Sequence, residues 1–353
     1  MNQKNYARIV LVATLLFIYL IVLPIIFRNQ RYLLNIVITA SLLSCASLGV
    51  WITFSIGRIN IGQGAFAGIG GYTTAILIMK AGFSFWQSFL LAGLLAALIG
   101  FLFGLVILRL KGVYFAMLTL SLTETFRLIF LNAEGLTNGG NGIMGIPRPG
   151  ALSIAGITII PNFGRSNIFF YYLSATILII VFLAVWRLYK SRIGWIFKAI
   201  RISEDLTRSC GINIVKYRIM AYSICCFLGG IAGSLFTVFY QNIFPASFQV
   251  NDSVYFMLYC FLGGLDYLAG PILGAFVLTG AFEVLRFIQK YQEGIYACIM
   301  IALMLWLPNG LMSLNLGKVF GKRKEKELET TEADKLLKSY NPDSGRKSLK
   351  KEG

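Results

Sequence analysis

Several stretches of this chain run for 19 residues or more without one charged side chain. Ile9–Phe27 holds 19 residues, Tyr32–Gly57 holds 26, Ala81–Leu108 holds 28, and Ile219–Asn251 holds 33. A bilayer core of about 30 Å is crossed by about 20 helical residues. A helix in a soluble domain buries one stripe and has no reason to be apolar on every face for that long. Hydrophobic residues make up 57% of the 353 positions and charged residues only 13%, about half the usual charged share. The chain is therefore expected to be an all-α polytopic membrane protein.

A net charge of +17 raises the question of nucleic acid, and the location of the charge answers it. Eight of the 32 Lys and Arg lie between Arg187 and Arg218, and eleven more follow Gly317. That segregation is the bias of cytoplasmic loops in membrane proteins. Membrane lipid, rather than nucleic acid, is the expected partner of the tail. The six cysteines (Cys45, Cys210, Cys225, Cys226, Cys260, Cys298) show no ligand spacing, and the chain has no His. Neither a metal site nor a disulfide framework is expected. The N-terminal apolar run lacks a small-x-small cleavage site and reads as a retained span.

Apolar stretches set against charges give ten expected spans. They are Ile9–Phe27, Leu33–Ile56, Ala65–Met79, Phe85–Leu108, Val113–Leu131, Ile168–Trp186, Ile219–Phe239, Ser253–Leu262, Ile272–Phe287 and Ile295–Leu307. Four of them separate the two basic segments, so both segments can lie inside the cell. Both termini then fall in the cytoplasm, and Asn132–Asn167 falls outside. Arg28, Arg31 and Lys80 land outside against the rule, which is statistical.

Two of the ten are odd. Ala65–Met79 is short and follows Gly57-Arg58-Ile59-Asn60-Ile61-Gly62-Gln63-Gly64, while Ser253–Leu262 runs into Gly263-Gly264-Leu265-Asp266-Tyr267-Leu268-Ala269-Gly270-Pro271. A span too short to cross must tilt, break or re-enter, and its freed backbone groups need partners in protein or water. Short, glycine-interrupted segments, one in each half, point to a permeation site built on internal inverted repeats. Close helix packing through glycine accounts for the same residues. Both readings stand at this stage.

Ionisable residues inside the spans are few. Glu124 and Arg127 are spaced i,i+3, share a helix face and can pair; Glu283 and Arg286 have the same spacing. An uncompensated charge at mid-membrane costs on the order of 3 kcal/mol, which pairing offsets. Asp266 is expected to reach an interface through its glycine-rich break. In the basic loop, Ser203-Glu204-Asp205-Leu206-Thr207-Arg208-Ser209-Cys210-Gly211 reads as a short helix capped by Ser203 and ended by Gly211. Such a helix lies on the membrane surface or docks in a partner's groove. No phosphate-binding loop is present: Gly317-Lys318-Val319-Phe320-Gly321-Lys322 has the wrong spacing and lacks the following Ser or Thr. Residues 317–353 read as a solvated basic tail following a transmembrane domain of 1–316.

Taken in order, these motifs resemble the membrane permease subunits of branched-chain amino acid ABC importers. Ile61-Gly62-Gln63-Gly64-Ala65-Phe66-Ala67-Gly68-Ile69-Gly70-Gly71-Tyr72 is similar to the family's Leu-Gly-His-x-x-Phe-x-x-(Ile/Leu)-Gly-(Ala/Gly)-Tyr. Leu118-Thr119-Leu120 with Glu124 and Arg127, then Leu136-Thr137-Asn138-Gly139-Gly140-Asn141-Gly142-Ile143, resembles the next motif. Cys210-Gly211-Ile212-Asn213, Leu262-Gly263-Gly264-Leu265 with Ala269–Ala275, and Pro308-Asn309-Gly310-Leu311 complete the series. The likeness runs from about Leu33 to Leu311.

The resemblance implies one of two related permease chains in a bacterial plasma (inner) membrane. Its partners would be a second permease subunit, two cytoplasmic ATP-binding subunits and an extracytoplasmic solute-binding protein. It implies no cofactor and no enzymatic activity in this chain, with ATP hydrolysed on a separate subunit. Arg201, Glu204, Asp205, Arg208 and Gly211 would belong to the ATPase-coupling helix. Asn60, Gln63, Gly64, Glu124, Asn141 and Asp266 would belong to the translocation pathway. Departures from the pattern are specific. Leu206, Thr207 and Arg208 replace the usual small pair and Glu, pointing to a dedicated ATPase partner. Gln63 stands where His is common, and Asp266 and Tyr267 replace a small pair. Related permeases also carry urea, short amides and other small polar solutes. A secondary transporter or channel that works without ATP is the alternative, and a membrane enzyme would need a catalytic constellation that the sequence does not contain.

Overall fold

The computed structural model describes residues 30–110, 112–150, 152–154, 157–160 and 166–286, with 19–20, 23–26, 310–313 and a few single positions between 294 and 305. Ten principal helices fall within these residues. They are α1 (Arg31–Ser55), α2 (Gln63–Met79), α3 (Phe85–Ile107), α4 (Val113–Asn132), α5 (Asn167–Lys190), α6 (Arg192–Ile202), α7 (Glu204–Ser209), α8 (Ile214–Tyr240), α9 (Val250–Gly263) and α10 (Gly270–Leu285). Five are long and apolar enough to cross a membrane: α1, α3, α4, α5 and α8. The shorter α2, α9 and α10 coincide with three further expected spans. The expected spans Ile9–Phe27 and Ile295–Leu307 fall largely outside the described residues, as does the tail 317–353.

The central helices are α1 and α8, and α8 packs on α1, α2 and α3. Their approach is governed by side-chain size, because in lipid close packing replaces a hydrophobic driving force. On α3, Ala92, Gly93, Ala96, Gly100 and Gly104 are buried, while Leu90, Leu94, Leu98 and Leu102 are exposed. Small residues thus line the packed side of α3 and leucines its exposed side. On α2, a Cβ at Gly70 would collide with the backbone of Gly230 on α8, and a Cβ at Gly230 would collide with Ala96 on α3.

Helix ends depart from the expected bounds where charges were read as loop. Helix α8 starts at Ile214 rather than Ile219, because the Asn213 side chain accepts a hydrogen bond from the Lys216 N–H at 3.2 Å and caps it. Helix α5 continues past Trp186 to Lys190, whose ammonium sits 4.2 Å from the Trp186 ring centre. A basic last turn suits the negative end of the helix dipole.

Helices α9 and α10 flank the second glycine-rich break. The 14 residues of α9 reach about 21 Å, too short for the hydrocarbon layer. The chain reverses through Gly264, with φ of +110°, and returns as α10 against α9. The segment between α4 and α5 carries short strands. β1 (Ile143–Met144) pairs antiparallel with β4 (Asn242–Ile243), and β2 (Leu152–Ile154) pairs with β3 (Ile157–Ile160).

Candidate functional site

The first break follows α1. Gly57 turns the chain with φ of +74°, and its N–H still reaches the Phe54 carbonyl at 2.9 Å. Residues 59–62 then run without helical hydrogen bonds, and neighbouring side chains supply the partners. The Ile61 N–H donates to Thr119 Oγ1 at 3.2 Å, the Gly62 N–H to Asn60 Oδ1 at 2.9 Å, and the Gly64 N–H to Ser253 Oγ at 2.9 Å. Thr123 Oγ1 lies 3.2 Å from Ser253 Oγ, joining α4 to α9 over the break. This clasp answers the demand that irregular backbone at membrane depth be satisfied within the protein.

Gln63 and Asn60 are wholly buried. Gln63 Nε2 donates to the carbonyls of Ala46 at 3.0 Å and Cys225 at 3.1 Å, and its Oε1 accepts from the Cys225 thiol at 3.0 Å. Asn60 Nδ2 lies 3.3 Å from the same sulfur. These two side chains and Gly64 therefore form one polar knot at the junction of α1, α2, α8 and α9. Cys225 is a member that the sequence did not reveal, since a cysteine in an apolar run normally acts as a small hydrophobe.

At one end of the bundle, the basic loop folds onto this break. Ser203 caps α7 by accepting from the Leu206 N–H at 3.3 Å, and Gly211 takes φ of +76°. The first residue of α7, Glu204, turns inward. Its carboxylate pairs with Arg58 at 3.4 Å and also with Arg218. Arg58 is 4% and Arg218 5% exposed, so one carboxylate balances two buried guanidinium groups. Burial lowers the Arg58 pKa from its ordinary value. Neither arginine stood out in the sequence; the signal was a lone charge directly after 26 uncharged residues.

The second break joins the same loop. Arg201, near the end of α6, pairs with Asp266 at 3.1 Å, and Trp51 Nε1 donates to the Leu265 carbonyl at 2.9 Å. Asp266 thus stands with the loop helices, apart from the Gln63 knot. Asp205 and Arg208 point outward with Ile202 and Leu206, while Thr207 is buried.

Glu124 and Arg127 make a two-pronged pair, with Arg127 Nε 2.9 Å from Oε2 and Nη2 2.5 Å from Oε1. They border a cavity of about 300 Å³ together with Gln249, Val250 and Asn251. Asn141 is exposed at the end of a tight turn, Gly139–Asn141, away from Gln63. Among the described residues, no group of three or more His, Cys, Asp or Glu could hold a metal.

A bundle of apolar helices with satisfied interior breaks and a basic loop folded beneath them defines a polytopic helical membrane protein. The sequence matches the family model described as "Branched-chain amino acid transport system / permease component" over residues 32–306, and the chain belongs to that family. It is 32% identical over 273 residues to the high-affinity branched-chain amino acid transport system permease protein LivM of Escherichia coli K12, covering 73% of this chain and 64% of that relative. It is 26% identical over 245 residues to the probable branched-chain amino acid transport permease protein LivM of Methanocaldococcus jannaschii, covering 63% of this chain and 68% of the other. The ribose import permease protein RbsC of Escherichia coli K12 matches at 28% over 138 residues, 37% of this chain and 43% of its own. No solved structure matches.

Proposed function

We propose that the chain is the membrane-spanning permease subunit of an ATP-driven importer for branched-chain amino acids or similar small polar solutes. It works with a second permease subunit, two cytoplasmic ATP-binding subunits that carry out hydrolysis, and an extracytoplasmic solute-binding protein. The membrane is the bacterial plasma (inner) membrane, both termini are cytoplasmic, and the spans number ten in inverted repeats, with residues 317–353 as a basic tail. Family membership and the likeness to LivM support this reading.

The observation that carries the mechanism is the position of Glu204 between Arg58 and Arg218, with Arg201 on Asp266 next to it. The α6–α7 unit is fastened to both helix breaks at once. An ATPase subunit that grips the outward face of α7 (Asp205, Arg208 and the apolar side chains beside them, up to Gly211) displaces Arg58 and Asp266 together. That motion reaches the clasp of Thr119, Thr123 and Ser253, whose neutral hydrogen bonds exchange at modest cost. A push on a two-state core is enough to switch access. Asn60, Gln63 and Gly64 lie at the gate, with Glu124 and Asn141 toward the opposite end.

The test is reconstitution of the chain with the ATPase and permease subunits encoded beside it and the corresponding binding protein. Leucine uptake that requires both ATP and binding protein is the expected result. Uptake by this chain alone without ATP overturns the proposal in favour of a secondary transporter or channel.

A further inference from the structure

In the half of the bundle away from α6 and α7, helices α1, α2, α8, α9 and α10 enclose a cavity of about 310 Å³. The volume is at the small end of the range for ligand pockets. Leu42, Phe236, Phe256 and Phe282 give it apolar walls. Ala46, Ala67 and Gly233 line it too, and the space exists because these three side chains are small. Gly233 lies so close to the Ala67 backbone that a Cβ would collide there, which fixes that part of the wall.

The charged groups on the lining have one sign, beside the hydroxyls of Thr39, Ser247, Tyr255, Tyr259 and Thr279. Asp252 and Glu283 contribute carboxylates, and no Lys or Arg is among the described lining residues. Glu283 is held by Arg286 at 3.0 Å. Asp252 Oδ2 accepts the Gln249 N–H at 2.8 Å and so caps α9. A carboxylate offers about four acceptor sites, so the cap leaves Asp252 able to receive a cationic donor. Apolar walls with a carboxylate suit an aliphatic body carrying an ammonium group; they disfavour a simple organic acid, which has no group of the opposite charge to offer.

We infer that this cavity is a solute site within a single permease chain, taking a hydrophobic amino acid by its ammonium group and aliphatic side chain. The inference rests on the importer reading above and names where that importer holds its solute. The ammonium group meets Asp252, the side chain lies among Phe236 and Phe256, and the α-carboxylate faces out past Glu283, where Arg286 stands.

The test is equilibrium binding of radiolabelled leucine to the full chain in lipid nanodiscs. The competitors are 3-methylbutylamine, which lacks the carboxylate, and 4-methylpentanoate, which lacks the amine. The expected result is saturable binding displaced by the amine and not by the acid. Asp252→Asn keeps the cap, because an amide oxygen accepts the same hydrogen bond. It should weaken leucine by roughly ten- to a hundredfold, the worth of one charge-assisted hydrogen bond. Ala232 on α8 also lines the cavity, and Ala232→Met, which fills part of the space, should weaken leucine binding as well. Lack of saturable binding, displacement by the acid alone, or equal affinity in Asp252→Asn overturns the site and leaves the cavity as lipid-accessible space. ATP-driven uptake by the assembled complex is read in parallel. Uptake without binding to this chain removes the site alone, and binding without ATP-driven uptake removes the importer reading alone.

Discussion

The Arg201 guanidinium lies 3.1 Å from the Asp266 carboxylate and ties the end of α6 to the turn between α9 and α10. Both side chains are substantially exposed, 40% and 73%. A pair that open to water contributes at most about 1 kcal/mol to stability. Its value to the molecule is therefore positional. Asp266→Arg should leave the melting temperature within a degree or two while lowering ATP-driven uptake severalfold. The charge exchange Arg201→Asp with Asp266→Arg should restore most of that uptake. Failure of the double variant to recover, when both single variants are stable, would show that the contact does not transmit movement.

Glu204 makes the opposite case. It faces two arginines that are almost fully buried. Removing one partner of a buried ion pair costs about 3–5 kcal/mol, since the remaining charge is left without compensation. Glu204→Lys adds a third positive charge and should lower thermal stability sharply as well as uncouple ATP hydrolysis from uptake. Glu204→Gln, which keeps the shape, should fall between it and the native protein. Melting curves in nanodiscs order the three. Equal stability of all three would mean that Arg58 and Arg218 find other partners.

The Gly64 N–H donates to Ser253 Oγ, and a Cβ at Gly64 would collide with that oxygen. Gly64→Ala should therefore break the clasp, leaving a buried donor unsatisfied at a cost of about 1–3 kcal/mol. Ser253→Gly removes the obstacle as well as the acceptor, so adding it to Gly64→Ala should destabilise less than the two changes summed. A double-mutant cycle of unfolding free energies measures the coupling. Strict additivity would separate the two residues.

The long spans were legible because hydrocarbon imposes a length on uncharged helix that a single sequence displays directly. The two breaks were legible for a related reason: glycine clusters next to apolar runs too short to cross. Ser203 and Gly211 marked the ends of α7 correctly, since capping is local. The contents of the site were not legible. Arg58 and Glu204 are 146 positions apart, and nothing in either neighbourhood names the other. Cys225 read as a small apolar residue, and only the fold brings its thiol and carbonyl to Gln63. Asp266 lies in a break as Gln63 does, yet its partner is Arg201.

On the outward side of the loop, Ile202 is 83% and Leu206 67% exposed. Spaced i,i+4 across the Ser203 cap, they are the apolar groups that a partner groove would cover, with Asp205 and Arg208 beside them as a charged rim. Apolar anchors surrounded by polar groups carry most of the energy at protein interfaces. A charge placed there meets water in the isolated chain, so Leu206→Glu should change its stability by no more than about 0.5 kcal/mol. In a partner groove the same charge would lose its hydration. Affinity for the ATPase subunit should then fall by at least about thirtyfold, equivalent to about 2 kcal/mol. Co-purification of the two subunits and ATPase stimulation by the loaded binding protein measure that loss. Thr207, buried against the bundle, provides the control: Thr207→Val should perturb the fold before it perturbs docking. If Leu206→Glu retains full ATPase affinity, the outer face of α7 is a membrane-surface helix, and the motor must engage the chain elsewhere.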